Sequence, residues 1–135
     1  MLQQLRINNV AVIDHAELEL GPGLNVLTGE TGAGKTIILS ALSLILGARG
    51  SSDLIREGEG EATVEALFSD IPETTRDLLV GAGYDTDDEL VLKRVVTRAG
   101  RNRIYLNGNL SPRSVLSNVG TDLIHIYGQH QQHTL

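Results

Sequence analysis

The glycine-rich segment Gly29-Glu30-Thr31-Gly32-Ala33-Gly34-Lys35-Thr36 constrains this chain most, since it fits the pattern G-x-x-x-x-G-K-[ST] without a mismatch. A compact apolar run at residues 24–28 precedes it and is typical of a buried strand. A longer apolar run at residues 37–46 follows and predicts a buried helix that Gly47 ends. Strand, glycine-rich loop and helix in this order are the structural context of a phosphate-binding loop.

The chemistry of such a loop explains its residue types. Glycines let the main chain curl so that successive N–H groups and the positive end of the following helix face nucleotide phosphates. Lys35 is expected to reach the β- and γ-phosphates, and the Thr36 hydroxyl to bind Mg²⁺. A side chain at position 34 would occupy phosphate space. The alternative is a glycine-rich turn that only caps a helix, and the motif does not choose among NTPase classes.

Composition excludes several other classes of protein. The 135 residues predict one domain, 1–135, and 41% apolar with 21% charged residues is ordinary globular composition. The absence of cysteine excludes disulfide frameworks, Cys-zinc sites and thiol catalysis. No apolar run reaches the roughly 18 residues that a membrane span requires.

Periodicity and turn residues predict the remaining elements. The expected helices are residues 73–82 and a brief one that Ser111-Pro112 opens, and Asn107-Gly108 is a turn signal. The expected strands are residues 2–9, 15–20, 63–68, 90–97, 103–107 and 122–127. Strands mixed with helices around a phosphate loop predict an α/β fold.

Charge is unevenly distributed along the chain, whose formal net charge is −6. Residues 57–89 contain eleven acids and one base, whereas residues 93–113 contain six bases and no acid. The basic stretch is either a DNA-facing surface or a solvated hairpin whose positive face balances the acidic stretch.

Three segments resemble a known family: residues 5–58, residues 103–116 ("RIYLNGNLSPRSVL") and residues 123–135 ("LIHIYGQHQQHTL"). Together they resemble the N-terminal part of RecN, the bacterial DNA-repair ATPase family related to SMC proteins, over essentially the whole chain. The loop version "GETGAGKT" and the terminal "GQHQQH" are more specific than the general phosphate-loop pattern.

The resemblance implies a P-loop NTPase fold: the N-terminal lobe of an ABC-type ATPase head with flanking antiparallel strands, binding ATP and Mg²⁺. It implies that Gln129, in a glutamine loop, contacts Mg²⁺ and the attacking water, and that Arg56 lies close to the phosphates. From the residues alone, positions 129–133 fit a polar tail equally well. His130 and His133 lack the further ligands that structural zinc requires, so solvent exposure is their expected state.

Two segments that hydrolysis in ABC-type heads requires are missing from these residues. Neither the "LSGGQ-like" signature nor an apolar strand ending in Asp followed by a catalytic Glu occurs after Lys35. The resemblance therefore implies that the coiled coil and the C-terminal half of the head are absent here. The implied partners are that half, a second head in a homodimer, and DNA, with no membrane. The implied setting is double-strand break repair and recombination in the cytoplasm, at the nucleoid.

Two other functions remain open from the residues. One is a small P-loop phosphotransferase, whose lid over the phosphates would use the arginine cluster at residues 98–103. The other is a non-catalytic module in which nucleotide tunes dimerisation.

Overall fold

A computed structural model describes residues 2–19 and 32–134 of the chain, and side chains within residues 2–19 and 37–123. The strands are β1 (Leu2–Val10), β2 (Ile13–Glu19), β3 (Glu61–Phe68), β4 (Leu90–Thr97), β5 (Arg103–Leu106) and β6 (Asn109–Leu110). The helices are α1 (Gly32–Ile45), α2 (Glu73–Gly81) and α3 (Arg113–Thr134), with a 3-10 turn at Ser52–Leu54. The strand expected at residues 24–28 lies outside the described residues.

The strands form one six-stranded antiparallel sheet in the order β2-β1-β3-β4-β5-β6. The two predicted hairpins are confirmed, since β1 pairs with β2 and β4 pairs with β5. The predicted turn at Asn107-Gly108 joins β5 to β6, and both residues have positive φ, 49° and 84°. Asparagine followed by glycine suits this turn because both tolerate left-handed backbone.

One face of the sheet carries the hydrophobic core. Alternate residues of the central strands, such as Val64 and Ala66 of β3 and Leu92 of β4, are almost fully buried. Buried residues of α1, α2 and α3 belong to the same core cluster, so the helices cover this face. Burial of this apolar surface is the main stabilising contribution to the fold.

The other face carries a row of alternating charge. The register places Glu17, Arg6, Glu65, Lys93 and Tyr105 opposite one another on neighbouring strands from β2 to β5. Arg6 lies 3.6 Å from a carboxylate oxygen of each flanking glutamate. The Lys93 ammonium lies 6.0 Å from the centroid of the Tyr105 ring. We call this row the charge ladder.

Helix α1 ends where the sequence predicts. Gly47 has a φ of +108°, a conformation that side chains rarely adopt, and it follows the helix directly after Leu46. The expectation of a fully buried helix is only partly correct. Ala41, Leu44 and Ile45 face the core, whereas Leu39 is 48% exposed.

The prediction of a strand at residues 122–127 is wrong. Those residues belong to α3, which begins directly after Pro112 and contains 22 residues, so the helix predicted to be brief is long. Leu116, Val119 and Leu123 are buried at helical spacing. This stripe, and not the β-branched residues beyond it, determines the local structure.

Helix α3 meets the turn that follows α1 at Gly120. A Cβ placed on Gly120 would lie 2.6 Å from the carbonyl carbon and 2.9 Å from the Cα of Leu46, closer than real Cβ atoms approach. One turn earlier in α3, Ser117 makes a similar contact: a Cβ placed on Gly47 would lie 2.8 Å from the Cα of Ser117. The two backbones therefore meet directly, because glycine occupies both crossing positions.

Candidate nucleotide site

The phosphate-loop motif meets the N-terminal end of α1. The structure describes the main chain of residues 32–36, which forms the first part of this helix. Gly29, Glu30 and Thr31 lie outside the described residues, as do the side chains of Lys35 and Thr36. The first N–H groups of a helix have no acceptor within it, and the helix dipole makes this end positive. The helix predicted to follow the glycine loop is thus confirmed and begins inside the motif.

Arg56 lies in the segment that follows the 3-10 turn and is tied to the hairpin of β1 and β2. Its main-chain N–H donates to Asn9 O at 2.8 Å, and its guanidinium donates to Val12 O at 3.2 Å. Ile55 forms an isolated bridge with Val10. The proposed approach of Arg56 to phosphates stays a prediction, because the loop that would hold them is not described.

A second arginine holds the Arg56 segment from the other side. Arg98, directly after β4, donates from Nε to Glu59 O at 2.6 Å and from Nη2 to Arg56 O at 3.1 Å. Three carbonyls of this segment, including that of Ile55 at 3.4 Å, surround the one guanidinium. Arg98 is therefore occupied by main chain, which leaves it poorly placed to act as a lid over phosphates.

Gln129 lies in α3 and not in a loop. Its side chain lies outside the described residues. The suggested contact with Mg²⁺ and water stays a prediction. What the structure adds is that α3, nearer its start, lies with Gly120 against the backbone of Leu46, in the turn that follows the helix bearing Lys35 and Thr36.

The basic stretch is mostly engaged within the described part of the chain. Lys93 belongs to the charge ladder, and Arg103 lies 3.5 Å from a carboxylate oxygen of Glu61. Arg94 is buried, and Arg98 bonds to main chain as described above. Because these basic side chains already have partners within the chain, the contacts favour a solvated hairpin rather than a DNA-facing surface.

Arg94 is the residue that sequence reasoning missed. It lies on the core face of β4 and is 1% exposed. Burial lowers its pKa, and the nearby positive charge of Arg113 lowers that pKa further. The sequence signal was available, because strand alternation puts Arg94 on the same face as Leu92 and Val96.

Neither a metal cluster nor a membrane span is found where the structure can be described. Among the side chains of residues 2–19 and 37–123, no group of three or more His, Cys, Asp or Glu could hold an ion. None of the described helices is both long and apolar enough to cross a bilayer.

Comparison with known proteins gives consistent matches. A family model described as an AAA domain matches residues 4–125. The chain is 42% identical to the DNA repair protein RecN of Halalkalibacterium halodurans over 137 residues, and 40% identical to that of Bacillus subtilis over 139 residues. Each match covers 100% of this chain and 24% of the RecN protein, so the chain spans about a quarter of the length of these relatives.

Solved structures show the same fold. An SMC ATPase from work on ATP-driven dimerization and DNA-stimulated activation superposes with a TM-score of 0.70 at 24% identity, covering 89% of this chain and 77% of the other. The recombination mediator RecF with ATP superposes with a TM-score of 0.59 at 20% identity, covering 82% of this chain and 27% of the other. The expected P-loop NTPase fold of the α/β class, shared with ATPase heads, is thereby confirmed.

Proposed function

Because this chain belongs to the AAA domain family and is similar over its whole length to the N-terminal part of RecN proteins, we propose that it is the ATP-binding portion of a DNA repair ATPase. The observation that carries the proposal is the position of the motif. Its last residues form the beginning of α1, and main-chain amides at the start of a helix, which lack helical acceptors, are suited to bind phosphate.

In this proposal the motif binds the triphosphate. The main chain of residues 29–36 surrounds the phosphates, Lys35 neutralises the β- and γ-phosphate charge, and the Thr36 hydroxyl binds Mg²⁺. A hydroxyl is a suitable ligand, since Mg²⁺ prefers oxygen. The ion, once bound, would supply charge stabilisation at the transferring phosphate.

Two residues outside the motif complete the proposed site. Gln129, which lies in α3, would contact Mg²⁺ and orient the attacking water. Arg56 would contribute positive charge, and its segment is held in place by Asn9, Val12 and Arg98.

Hydrolysis is proposed to need a larger assembly. These residues contain neither a signature segment nor a strand with the Mg²⁺-binding Asp and catalytic Glu, so we propose that the C-terminal half of the same head supplies them. ATP would then join two heads in a homodimer and hydrolysis would release them, coupling nucleotide state to DNA in double-strand break repair and recombination. The setting would be the cytoplasm, at the nucleoid.

Calorimetry with Mg-ATP tests nucleotide binding by this chain. Lys35→Ala is expected to weaken affinity at least tenfold, because it removes the cation that meets the phosphates. Lys93→Ala is the matched control, since Lys93 is the chain's other lysine and lies on the charge ladder. An unchanged affinity in Lys35→Ala, or no heat from the unaltered chain, would overturn the proposal.

A further inference from the structure

The C-terminal end of α1 is held by a side chain from the sheet. Arg94 Nη1 donates to Leu44 O at 2.8 Å and also to Ala48 O. Carbonyls in the last turn of a helix lack partners within it and carry the negative end of the dipole. The Arg94 guanidinium therefore supplies a hydrogen-bond donor to these carbonyls and a positive charge at the negative end of the helix.

Stability alone gives little reason for an arginine at this position. Arg94 is 1% exposed, and it has no ion pair with a carboxylate among the described residues. Its Nε and Nη2 have no hydrogen-bond partner there either. Burying a charge without a counter-charge is unfavourable, and apolar side chains of similar volume often replace buried ionic groups without loss of stability.

The bonds of Arg94 hold the C-terminal end of α1, where Ala41, Leu44 and Ile45 are also buried in the core. A helix of 14 residues is about 21 Å long, so a tilt at the held end would displace the far end. That far end carries Lys35 and Thr36. Gly120 of α3 lies against Leu46, in the turn between the two residues whose carbonyls Arg94 binds.

We infer that Arg94 is a positioning residue for the nucleotide site, acting through α1 to hold the phosphate-binding end of that helix. This inference rests on the proposed function. Arg94 does not touch nucleotide; its contacts are at the opposite end of the helix, with Leu44 and Ala48. It restricts the orientations of α1 and so lowers the ordering that ATP binding requires.

The test compares Arg94→Met with the unaltered chain in two measurements, Mg-ATP affinity by calorimetry and melting temperature without nucleotide. The methionine retains much of the apolar volume and removes the buried charge. We expect affinity to fall about tenfold, the equivalent of roughly one charged hydrogen bond, while the melting temperature without nucleotide stays unchanged or rises. Arg94→Lys retains the charge and one donor group, so it should recover part of the affinity.

Controls separate positioning from general stability. Arg6→Met is the matched variant, because Arg6 lies on a strand of the same sheet but on the opposite face, and it should leave affinity unchanged. Unaltered affinity in Arg94→Met would overturn the inference while leaving ATP binding intact. A lower melting temperature with full affinity would make Arg94 purely structural. If Arg94→Met does not fold, an affinity equal to that of the unaltered chain in Arg94→Lys likewise overturns the inference. Absence of ATP binding in the unaltered chain would instead refute the proposed function.

Discussion

Replacing Gly120 by alanine would put a methyl group against the backbone of Leu46, in the turn directly after α1. The added Cβ would lie 2.6 Å from the carbonyl carbon and 2.9 Å from the Cα of Leu46, and closer still to the carbonyl oxygen. Ordinary contacts of a Cβ begin near 3.4 Å, so α3 or the turn at Leu46 would have to move by about 1 Å. Main chain cannot rotate away as a flexible side chain can, and the strain must therefore spread through the core.

The magnitude follows from two opposing effects. Overpacking in a close-packed interior destabilises by about 1–3 kcal/mol. Because the added methyl group meets backbone here, we expect a loss of stability at the upper end of this range, about 3 kcal/mol. Alanine in a helix interior regains up to about 1 kcal/mol over glycine. The net loss is about 2 kcal/mol, which for a chain of this size lowers the melting temperature by about 8 °C.

Urea denaturation and thermal melting, both followed by circular dichroism, measure the effect. Gly81→Ala is the control, because Gly81 is also helical, lies in α2 and has no atom within 4 Å of a Cβ built on it. It should stabilise by about 0.5 kcal/mol through the lower entropy of the unfolded chain. If Gly120→Ala is as stable as Gly81→Ala, the backbone of α3 does not meet that of Leu46 here.

Two further predictions concern side chains outside the nucleotide motif. Asp122→Ala should destabilise the chain by about 2 kcal/mol in urea denaturation, because its carboxylate accepts a hydrogen bond from the Thr75 hydroxyl at 2.6 Å and Thr75 is fully buried. Asp77→Ala, at an exposed position of α2, is the control and should have almost no effect. Equal losses of stability in the two variants would contradict this prediction. Reversing the charges of Arg101 and Arg103 together in a longer protein that contains this chain should leave its DNA affinity unchanged at two salt concentrations, since Arg103 is already paired with Glu61; a weaker affinity at low salt would assign DNA to this surface.

Local signals were sufficient for most of the sheet. The alternation of β3 and β4 predicted both strands, and Asn107-Gly108 predicted the turn that follows β5, because only left-handed backbone closes so short a hairpin. Gly47 and Gly83 likewise end α1 and α2 with positive φ, 108° and 94°. These features depend on residues close together in the chain, which is why the sequence sufficed.

Long-range contacts explain what was missed. The pattern of residues 122–127 suggested a strand, but helix α3 buries Leu123 in the core and brings Gly120 to the turn at Leu46 and Asp122 to α2. Propensity is a weak guide when tertiary contacts oppose it. Arg94 was counted with its basic neighbours, because only the folded sheet shows the carbonyls that it meets at the end of α1.

The same distinction between local signals and long-range contacts holds for the candidate site. The motif and the apolar run after it predicted a helix at residues 37–46; the structure confirms this helix and shows it from Gly32 to Ile45, so that it includes the last residues of the motif. The roles of Arg56 and Gln129 came from the resemblance, and they depend on distances to a loop outside the described residues. They stay predictions that the binding experiments address.

The charge ladder has a consequence for how the sheet assembles. Glu65 stands between Arg6 and Lys93, so a slip of β3 by two residues would keep its apolar face inward yet bring Thr63 or Leu67 opposite both cations. Each cross-strand pair of opposite charge contributes about 0.2–1 kcal/mol, and a slipped pairing forfeits both at once. The outer face, which contributes little to the core, therefore favours the native register of the central strands over a two-residue slip.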